Sequence, residues 1–156
     1  MPTPDFVLRL REKIGHDLLP MVGVCAVVLD DDGRLLLTRR RDSGRWAPVG
    51  GIVEPGEQPA ITAVREVLEE AGVEARVERL VSIVADPPTA YPNGDQVQFL
   101  TLLFVLRYVR GDAAVSDDEN LEVAWFPIDD RPAVNELNEH RLARALAPAA
   151  PVFYEV

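Results

Sequence analysis

The feature that most constrains the fold is residues 50–73, where a glycine-rich segment runs into an amphipathic pattern. Three glycines stand between residues 50 and 57, and glycine accepts backbone angles that other residues resist. Pro59 suits the first turn of a helix, and Gly72 suits its end. The stretch therefore predicts a glycine-rich loop over residues 50–57 that leads into a helix ending at Gly72.

The predicted helix has two unlike faces at 100° per residue. Its apolar face collects Ala60, Ile61, Val64, Val67, Leu68 and Ala71. On the opposite side, Glu66, Glu69 and Glu70 stand at relative positions i, i+3 and i+4, where like charges repel by a few tenths of a kcal/mol. Three converging carboxylates suit a hard divalent cation, Mg²⁺ or Mn²⁺. For the three glutamates alone, a solvated acidic face is the stronger alternative.

Hydrophobic patterning and turn residues predict the other elements. Strands are expected at Met21–Leu29, Arg34–Arg40, Glu74–Ala85, Gln96–Arg110 and Leu121–Ile128, and helices at about residues 5–15 and at Glu136–Leu146. Asp30 to Gly33 is typical of a hairpin turn. Because no linker is long enough to divide the chain, residues 1–156 are predicted to form one mixed α/β domain.

Charge and cysteine usage limit the partners. The chain has 16 Lys plus Arg and 26 Asp plus Glu, and its net charge of −10 disfavours stable binding to nucleic acid or to anionic membranes. Cys25 lies in an apolar run and is expected to be a buried thiol in a reducing compartment. No signal peptide and no apolar run of the roughly 20 residues needed to span a membrane is found. A cytoplasmic location is expected, and a homodimer stays open.

Residues 51–73 resemble the Nudix box at every defined position of that motif. Gly51, Glu57, the run Arg65-Glu66-Val67, the pair Glu69-Glu70 and the pair Gly72-Val73 all stand at its spacing. The resemblance implies the Nudix fold, a mixed β-sheet sandwiched between α-helices. It also implies a Mg²⁺-dependent hydrolase, with Mn²⁺ as an alternative ion, that splits the pyrophosphate of a nucleoside diphosphate linked to another group.

The resemblance further implies roles for single residues of the box. Glu66, Glu69 and Glu70 become the metal ligands, with the backbone carbonyl of Gly50 as an extra one. One of the glutamates is also expected to orient or deprotonate water. The guanidinium of Arg65 is expected to hold Glu57 and Glu69 by ion pairing, whereas Gly51 and Gly72 are structural.

The segment before the box extends the resemblance through Arg39, Arg41, Gly44 and Trp46. One departure is Pro48, which stands one residue earlier than in the common family pattern. Because arginine presents a bidentate fork to phosphate, Arg39 and Arg41 are candidate substrate-binding residues. A solvated charge cluster at the strand end is an equal alternative, and Trp46 is expected to anchor the loop.

Two later segments supply further candidates. Tyr91 lies in a run that resembles a subset of Nudix sequences and is expected to border the substrate, although Asn93-Gly94 suits an ordinary hairpin turn equally well. An additional acid is sought among Asp95, Asp117, Asp118 and Glu119. Glu119 is chosen as a catalytic residue, because it precedes the aromatic-ended strand as in related sequences. A solvated acidic turn has even weight.

The substrate itself is left open among ADP-ribose, a nucleoside triphosphate, a dinucleoside polyphosphate and a nucleotide sugar. Two other classes of protein compete with the hydrolase. The first is a catalytically silent Nudix-fold module that binds nucleotide or regulates a partner. The second is an acidic structural protein, which leaves the glycine-rich segment unexplained.

Overall fold

The computed structural model describes residues 3–116 and 118–155. Its helices are α1 (Asp5–Ile14), α2 (Pro59–Ala71) and α3 (Glu136–Leu146), with a 3₁₀ turn at Ile128–Asp130. Its strands are β1 (Leu19–Leu29), β2 (Leu35–Arg40), β3 (Trp46–Ala47), β4 (Val49–Ile52), β5 (Glu74–Ala85), β6 (Thr89–Ala90), β7 (Gln96–Arg110) and β8 (Asn120–Phe126). The predicted bounds of β5, β7 and α3 are confirmed, and the short strands β3, β4 and β6 are additional.

The strands form one mixed sheet with the path β3-β2-β1-β7-β5. Its centre is a parallel pair, since β1 runs alongside β7 from Leu19 opposite Val97 to Leu29 opposite Arg107. The other pairings are antiparallel, including β4 on β1, β8 on β2 and β6 on β7. Each of the two central strands, β1 and β7, therefore pairs with a neighbouring strand on both of its edges.

Alternation along β1 explains why helices cover both faces of the sheet. Val24, Ala26 and Val28 point to one face, where they pack in a cluster with Val67 of α2. The intervening residues, among them Cys25 and Val27, point to the other face and pack with Leu142 of α3. The predicted α/β class, a mixed sheet between helices, is confirmed, as is the burial of Cys25.

Helix α2 has the predicted ends but not the predicted faces. Gly72 adopts a left-handed conformation with φ +70°, and its N–H donates to the Leu68 carbonyl. Ile61 and Leu68, assigned to the apolar face, are instead 61% and 46% exposed. Glu66 and Glu70, assigned to the opposite side, are 1% and 2% exposed. The prediction of the faces was wrong because the helix buries two glutamates beside smaller apolar residues.

The predicted glycine-rich loop is also corrected. Gly50 and Gly51 belong to β4, where they lie opposite Cys25 and Val24 of β1. The turn begins after this strand, with the N–H of Glu57 donating to the Glu54 carbonyl. Glycines are needed at these two positions because other chain segments approach closely. β4 therefore places Gly50 and Gly51 directly beside α2.

The segment after α3 returns to the sheet. The Phe153 N–H donates to the Val81 carbonyl, and the Ile83 N–H donates to the Phe153 carbonyl. Phe153 thereby forms a parallel bridge to Ser82 on the edge strand β5. The guanidinium of Arg144 lies 3.8 Å from the centre of the Phe153 ring. Among the described residues, no helix has the length and apolar character that a membrane crossing requires.

Candidate active site

A cavity of about 960 Å³ lies over the face of the sheet that carries Met21, Gly23 and Cys25. Helix α1 borders it on one side, and the loop after β5 and the first turns of α3 border it on others. The box contributes Gly50, Gly51, Glu66 and Glu70 to the lining, and Arg40 and Glu119 lie in the same lining. Residues from distant parts of the sequence thus meet in one recess.

Glu66 is packed directly against the glycine pair. A Cβ atom built on Gly51 would lie 2.1 Å from both the Cδ and the Oε1 atoms of Glu66. The side chain is 1% exposed, and its Oε1 atom forms an ion pair with Arg65 Nη1 at 2.9 Å. Burial raises the pKa of Glu66 to about 7; the Arg65 charge opposes this shift and the Glu70 charge adds to it.

Glu70 lies one turn further along α2 and is 2% exposed. The Asn120 Nδ2 amide donates a hydrogen bond of 3.0 Å to Glu70 Oε2. Asn120 is the first residue of β8 and is fully buried. No sequence pattern indicates this contact, because an asparagine at the start of a strand is usually only a turn residue. β8 therefore orients the Glu70 carboxylate.

Arg65 makes the ion pairs expected for it, on the outer side of α2. Its Nε and Nη2 atoms donate to the two carboxylate oxygens of Glu57, at 2.9 and 3.0 Å. Its Nη1 atom donates to Glu69 Oε2 at 2.9 Å. The hydrogen bond from Arg65 lowers the pKa of Glu57 to about 2. This network ties the turn after β4 to the helix.

The three box glutamates do not converge on one patch. The side chain of Glu69 is 47% exposed and lies with Glu57 and Arg65 in a shallow surface pocket, outside the lining of the cavity. In residues 3–116 and 118–155, no group of three or more His, Cys, Asp or Glu side chains is placed to hold a metal ion. The expected convergence is incomplete, because Arg65 Nη1 lies 2.9 Å from both Glu66 Oε1 and Glu69 Oε2 and the guanidinium therefore stands between these two carboxylates.

The three arginines at the end of β2 make different contacts. Arg39 donates to Glu122 Oε1 at 2.8 Å, and the Arg41 Nε atom donates to the Asp118 carbonyl at 2.7 Å. Neither side chain lines the cavity. Arg40, which the sequence analysis did not single out, lines it with Nη2 3.1 Å from Asp42 Oδ2 and 3.7 Å from Glu119 Oε2. Substrate contact by Arg39 or Arg41 stays a prediction.

The candidate acids from later segments differ in position. Glu119 lines the cavity with its side chain 23% exposed. Asp95 also lines it, with Oδ1 2.8 Å from His16 Nδ1 and 3.7 Å from Arg11 Nε. Asp118 is exposed, and Asp117 lies outside the described residues. Glu119 and Asp95 therefore both line the cavity, and the catalytic role of Glu119 stays a prediction.

Tyr91 borders the cavity and is 46% exposed. Its N–H donates to the Asp95 carbonyl, and its carbonyl accepts from the Gly94 N–H. Asn93 and Gly94 thus form the hairpin turn between β6 and β7. The two interpretations of this run are compatible, because the turn places the ring at the rim of the cavity.

The donor atoms of the cavity fit a hard divalent cation. Glu66 and Glu70 contribute carboxylates to the lining, which also contains Gly50 and, from another element, Glu119. Such an all-oxygen set is typical of Mg²⁺ or Mn²⁺ sites. A cation would also compensate the buried negative charge that the raised pKa of Glu66 reflects.

The match to a family agrees with this geometry. The family model of the NUDIX domain matches residues 19–147. This chain therefore belongs to the Nudix hydrolase family.

Two curated relatives and one solved structure illustrate the likeness. A MutT-like protein of Streptomyces ambofaciens is 33% identical over 134 residues, which cover 85% of this chain and 81% of that protein. The NAD-capped RNA hydrolase NudC of Escherichia coli K12 is 31% identical over 122 residues, or 78% of this chain and 44% of NudC. The MutT NUDIX hydrolase of Burkholderia pseudomallei superposes with a TM-score of 0.65 at 27% identity, covering 81% and 98% of the two chains.

The chain thus spans less than half of the length of the NudC protein that it matches.

Proposed function

We propose that this chain is a divalent-metal-dependent pyrophosphohydrolase acting on a nucleoside diphosphate linked to another group. The observation that carries the proposal is the pair of buried carboxylates, Glu66 and Glu70, facing one cavity with the glycine pair of β4. Burying two acidic groups is unfavourable unless a cation compensates them. A silent binding module would not need to retain this pair.

Mg²⁺ is the proposed ion, with Mn²⁺ as the alternative, and Glu66, Glu70 and the Gly50 carbonyl would hold it. When bound, the ion neutralises phosphate charge and lowers the pKa of a bound water. The Asn120 amide fixes the Glu70 carboxylate, and Gly51 leaves the space that the Glu66 carboxylate occupies. Glu66 and Glu69 both pair with Arg65, but only Glu66 of the two lies in the lining of the cavity, so we give Glu69 the role of anchoring Arg65.

Glu119 is proposed as the base that accepts a proton from the attacking water. It reaches the cavity from the segment before β8, independently of α2. The neighbouring Arg40 guanidinium, 3.7 Å away, stabilises the charged carboxylate. Arg40 also lies where it can donate to a substrate phosphate, the role that the sequence analysis sought in Arg39 or Arg41.

The experiment that tests the function is a substrate screen with Mg²⁺ and with Mn²⁺, resolving products by chromatography. The screen includes ADP-ribose, nucleotide sugars, nucleoside triphosphates and dinucleoside polyphosphates, with Glu70→Gln as the inactive control. Reaction in heavy-oxygen water should place the label in a product phosphate. Binding of these compounds without any metal-dependent product would favour the silent module instead.

We also propose a substrate class and a cellular location. The partner is a nucleotide-type small molecule, and a bound cation would offset its repulsion from a chain with a net charge of −10. The single buried cysteine suits a cytoplasmic location. A homodimer stays a proposal, and the cavity is lined by residues of one chain.

A further inference from the structure

A second group of polar side chains lines the cavity away from the box. Arg141 of α3 donates from Nη2 to Asp86 Oδ2 at 2.5 Å and from Nη1 to Asn138 Oδ1 at 3.1 Å. Thr101 of β7 donates from Oγ1 to the same Asp86 oxygen, at 2.5 Å. These four residues, named the polar wall, come from α3, from β7 and from the position after β5.

The polar wall is largely buried and carries no net charge. The side chains of Arg141 and Asp86 are 17% and 12% exposed, and Asn138 and Thr101 are 8% and 7% exposed. Because one guanidinium pairs with one carboxylate, the wall offers hydrogen-bonding groups without attracting a further phosphate. A buried ion pair is also weak evidence for stability, since apolar residues of similar volume often stabilise a fold as well.

A flat apolar surface adjoins the polar wall. Phe99 lies two residues before Thr101 on the same face of β7, and both side chains line the cavity. The Phe99 ring rests over Gly23, where an added Cβ would come within 3.0 Å of the ring. Pro87 and Leu137 also contribute apolar lining. A nucleobase has two apolar faces and a hydrogen-bonding edge, and so it matches this combination better than a sugar does.

The polar wall and the box glutamates belong to one continuous recess. The cavity of about 960 Å³ is at the upper end of the roughly 300–1,000 Å³ of typical ligand pockets, so it has room for much more than a diphosphate. Burial raises the pKa of the Cys25 thiol to about 11, and the charges of Arg141, Asp86 and Glu70 all act on it. The two groups therefore lie within electrostatic range of the same buried atom.

We propose that the polar wall, Asp86, Thr101, Asn138 and Arg141, is the subsite that binds the nucleobase edge and sets base preference. This inference rests on the proposed function, since it assigns a part of the same cavity. The wall acts on binding and leaves the metal-assisted step to the box. Its residues should therefore affect KM and the choice of base more than kcat.

The test compares Asp86→Asn, Arg141→Lys and the near-isosteric Thr101→Val with wild type. The matched control is Arg144→Lys, on the same helix but with its guanidinium over the Phe153 ring outside the lining of the cavity. One substrate series varies the base in ADP-, GDP-, UDP- and CDP-glucose. A second series keeps adenine and varies the sugar in ADP-glucose, ADP-ribose and ADP-mannose.

We expect the wall variants to reduce the kcat/KM ratio between the best and worst base by about tenfold or more, through KM. Ratios within the sugar series should stay within about threefold, since the wall does not contact that group in the proposal. Arg144→Lys should leave both ratios unchanged. Unchanged base ratios, a change confined to the sugar series, or an equal effect of Arg144→Lys would overturn the inference.

A binding measurement separates this inference from the proposed function. Calorimetry with AMP, GMP, UMP and CMP should show one base preferred by wild type, and the wall variants should lose most of that preference. If no compound is hydrolysed but the preference is present and lost in the variants, the hydrolase proposal fails and the subsite stands. Equal affinity of wild type for all four nucleotides would overturn the subsite. Thr101→Val decides the outcome if the charged variants melt early.

Discussion

The carboxylate of Glu66 occupies the space in which a side chain on Gly51 would begin. A Cβ atom at position 51 would lie 2.1 Å from the Glu66 Cδ atom and 2.5 Å from its Cγ atom. The Glu66 side chain of α2 can therefore occupy its position only because residue 51 of β4 is a glycine. Their separation by 15 positions in the box follows from this contact, because strand and helix must meet at these two residues.

The first prediction is that Gly51→Ala displaces Glu66. We expect a loss of about 1–3 kcal/mol in unfolding free energy from overpacking, together with a large loss of metal-dependent activity. The control is Gly33→Ala, at a turn where no heavy atom lies within 4 Å of the added Cβ. It should cost about 1–2 kcal/mol through its left-handed backbone but keep activity. Full activity in Gly51→Ala would show that the Glu66 position is not required.

The second prediction ranks two neighbouring glutamates. Glu70→Gln should lower kcat by about 100-fold or more at saturating Mg²⁺, since an ion held at the cavity is worth several kcal/mol. Glu69→Gln should lower it by less than about tenfold, because the exposed Glu69 contributes an ion pair worth roughly 0–1 kcal/mol. Steady-state kinetics and Mg²⁺ titration measure both. Equal, large losses would restore Glu69 to the ligand set.

The third prediction concerns pH and the metal-free protein. The folded-state pKa of Glu66, about 7, is above its ordinary value of 4.5. Its charge therefore costs no stability below pH 4.5, and the cost grows as pH rises through 7 and then stays constant. Metal-free Glu66→Gln should be more stable than wild type by about 1–3 kcal/mol at pH 8 and show little difference at pH 4.5.

Denaturant melts at several pH values in a chelator check this, with Glu69→Gln as the exposed control. Added Mg²⁺ should stabilise wild type at pH 8 and have much less effect on Glu66→Gln. A stability difference that does not vary between pH 4.5 and 8 would contradict the assignment of a buried, protonated Glu66.

The fourth prediction separates adjacent arginines of β2. Arg40→Gln should raise KM by about tenfold or more, because a charge-assisted hydrogen bond to phosphate is worth roughly 1.5–3 kcal/mol. Arg39→Gln should change KM by less than about threefold, since that side chain pairs with Glu122 outside the cavity. Initial rates at two ionic strengths measure the effect. A larger effect of Arg39→Gln would favour the original expectation.

The fifth prediction tests the proposed base. Glu119→Gln should lower kcat by about 100-fold or more, the range of general acid–base catalysis. Asp118→Asn is the control, because its exposed side chain lies beside the cavity and its carbonyl still accepts from Arg41. If both variants are nearly as active as wild type, the base belongs to the box.

The hydrophobic pattern of the sequence predicted the bounds of strands and helices well where turn residues mark their ends. The bounds of β5, β7 and α3 agree with the structure because glycine, proline and acidic turns flank them. The parallel pairing of β1 with β7 had no local signal. It depends on burying apolar residues on both faces of two strands far apart in sequence.

The misassigned helix face has a definite physical cause. A pattern of hydrophobicity assumes that charges face water, but Glu66 and Glu70 are buried while Ile61 and Leu68 are exposed. Functional sites are where such local rules fail. The box motif selects residues by type and spacing, and so it carries no information about their burial.

The arginines of β2 show what alternation can and cannot predict. A period of two would place Arg39 and Arg41 on one face and Arg40 on the other, but β2 ends at Arg40 and its pairing with β8 is irregular between Arg39 and Arg40. Only the position of the cavity decides which face meets the substrate. The pair Asp86 and Arg141 is separated by 55 residues and is created entirely by the docking of α3 on the sheet.

The bridge between Phe153 and Ser82 also bears on how the protein can be handled. β5 lies at an edge of the sheet, and an uncovered edge strand is a template for pairing with another chain. The two hydrogen bonds to Phe153 occupy part of that edge. Removing residues 151–156 should therefore increase concentration-dependent association, which light scattering would detect. An affinity tag is better attached at the other terminus or after a flexible spacer.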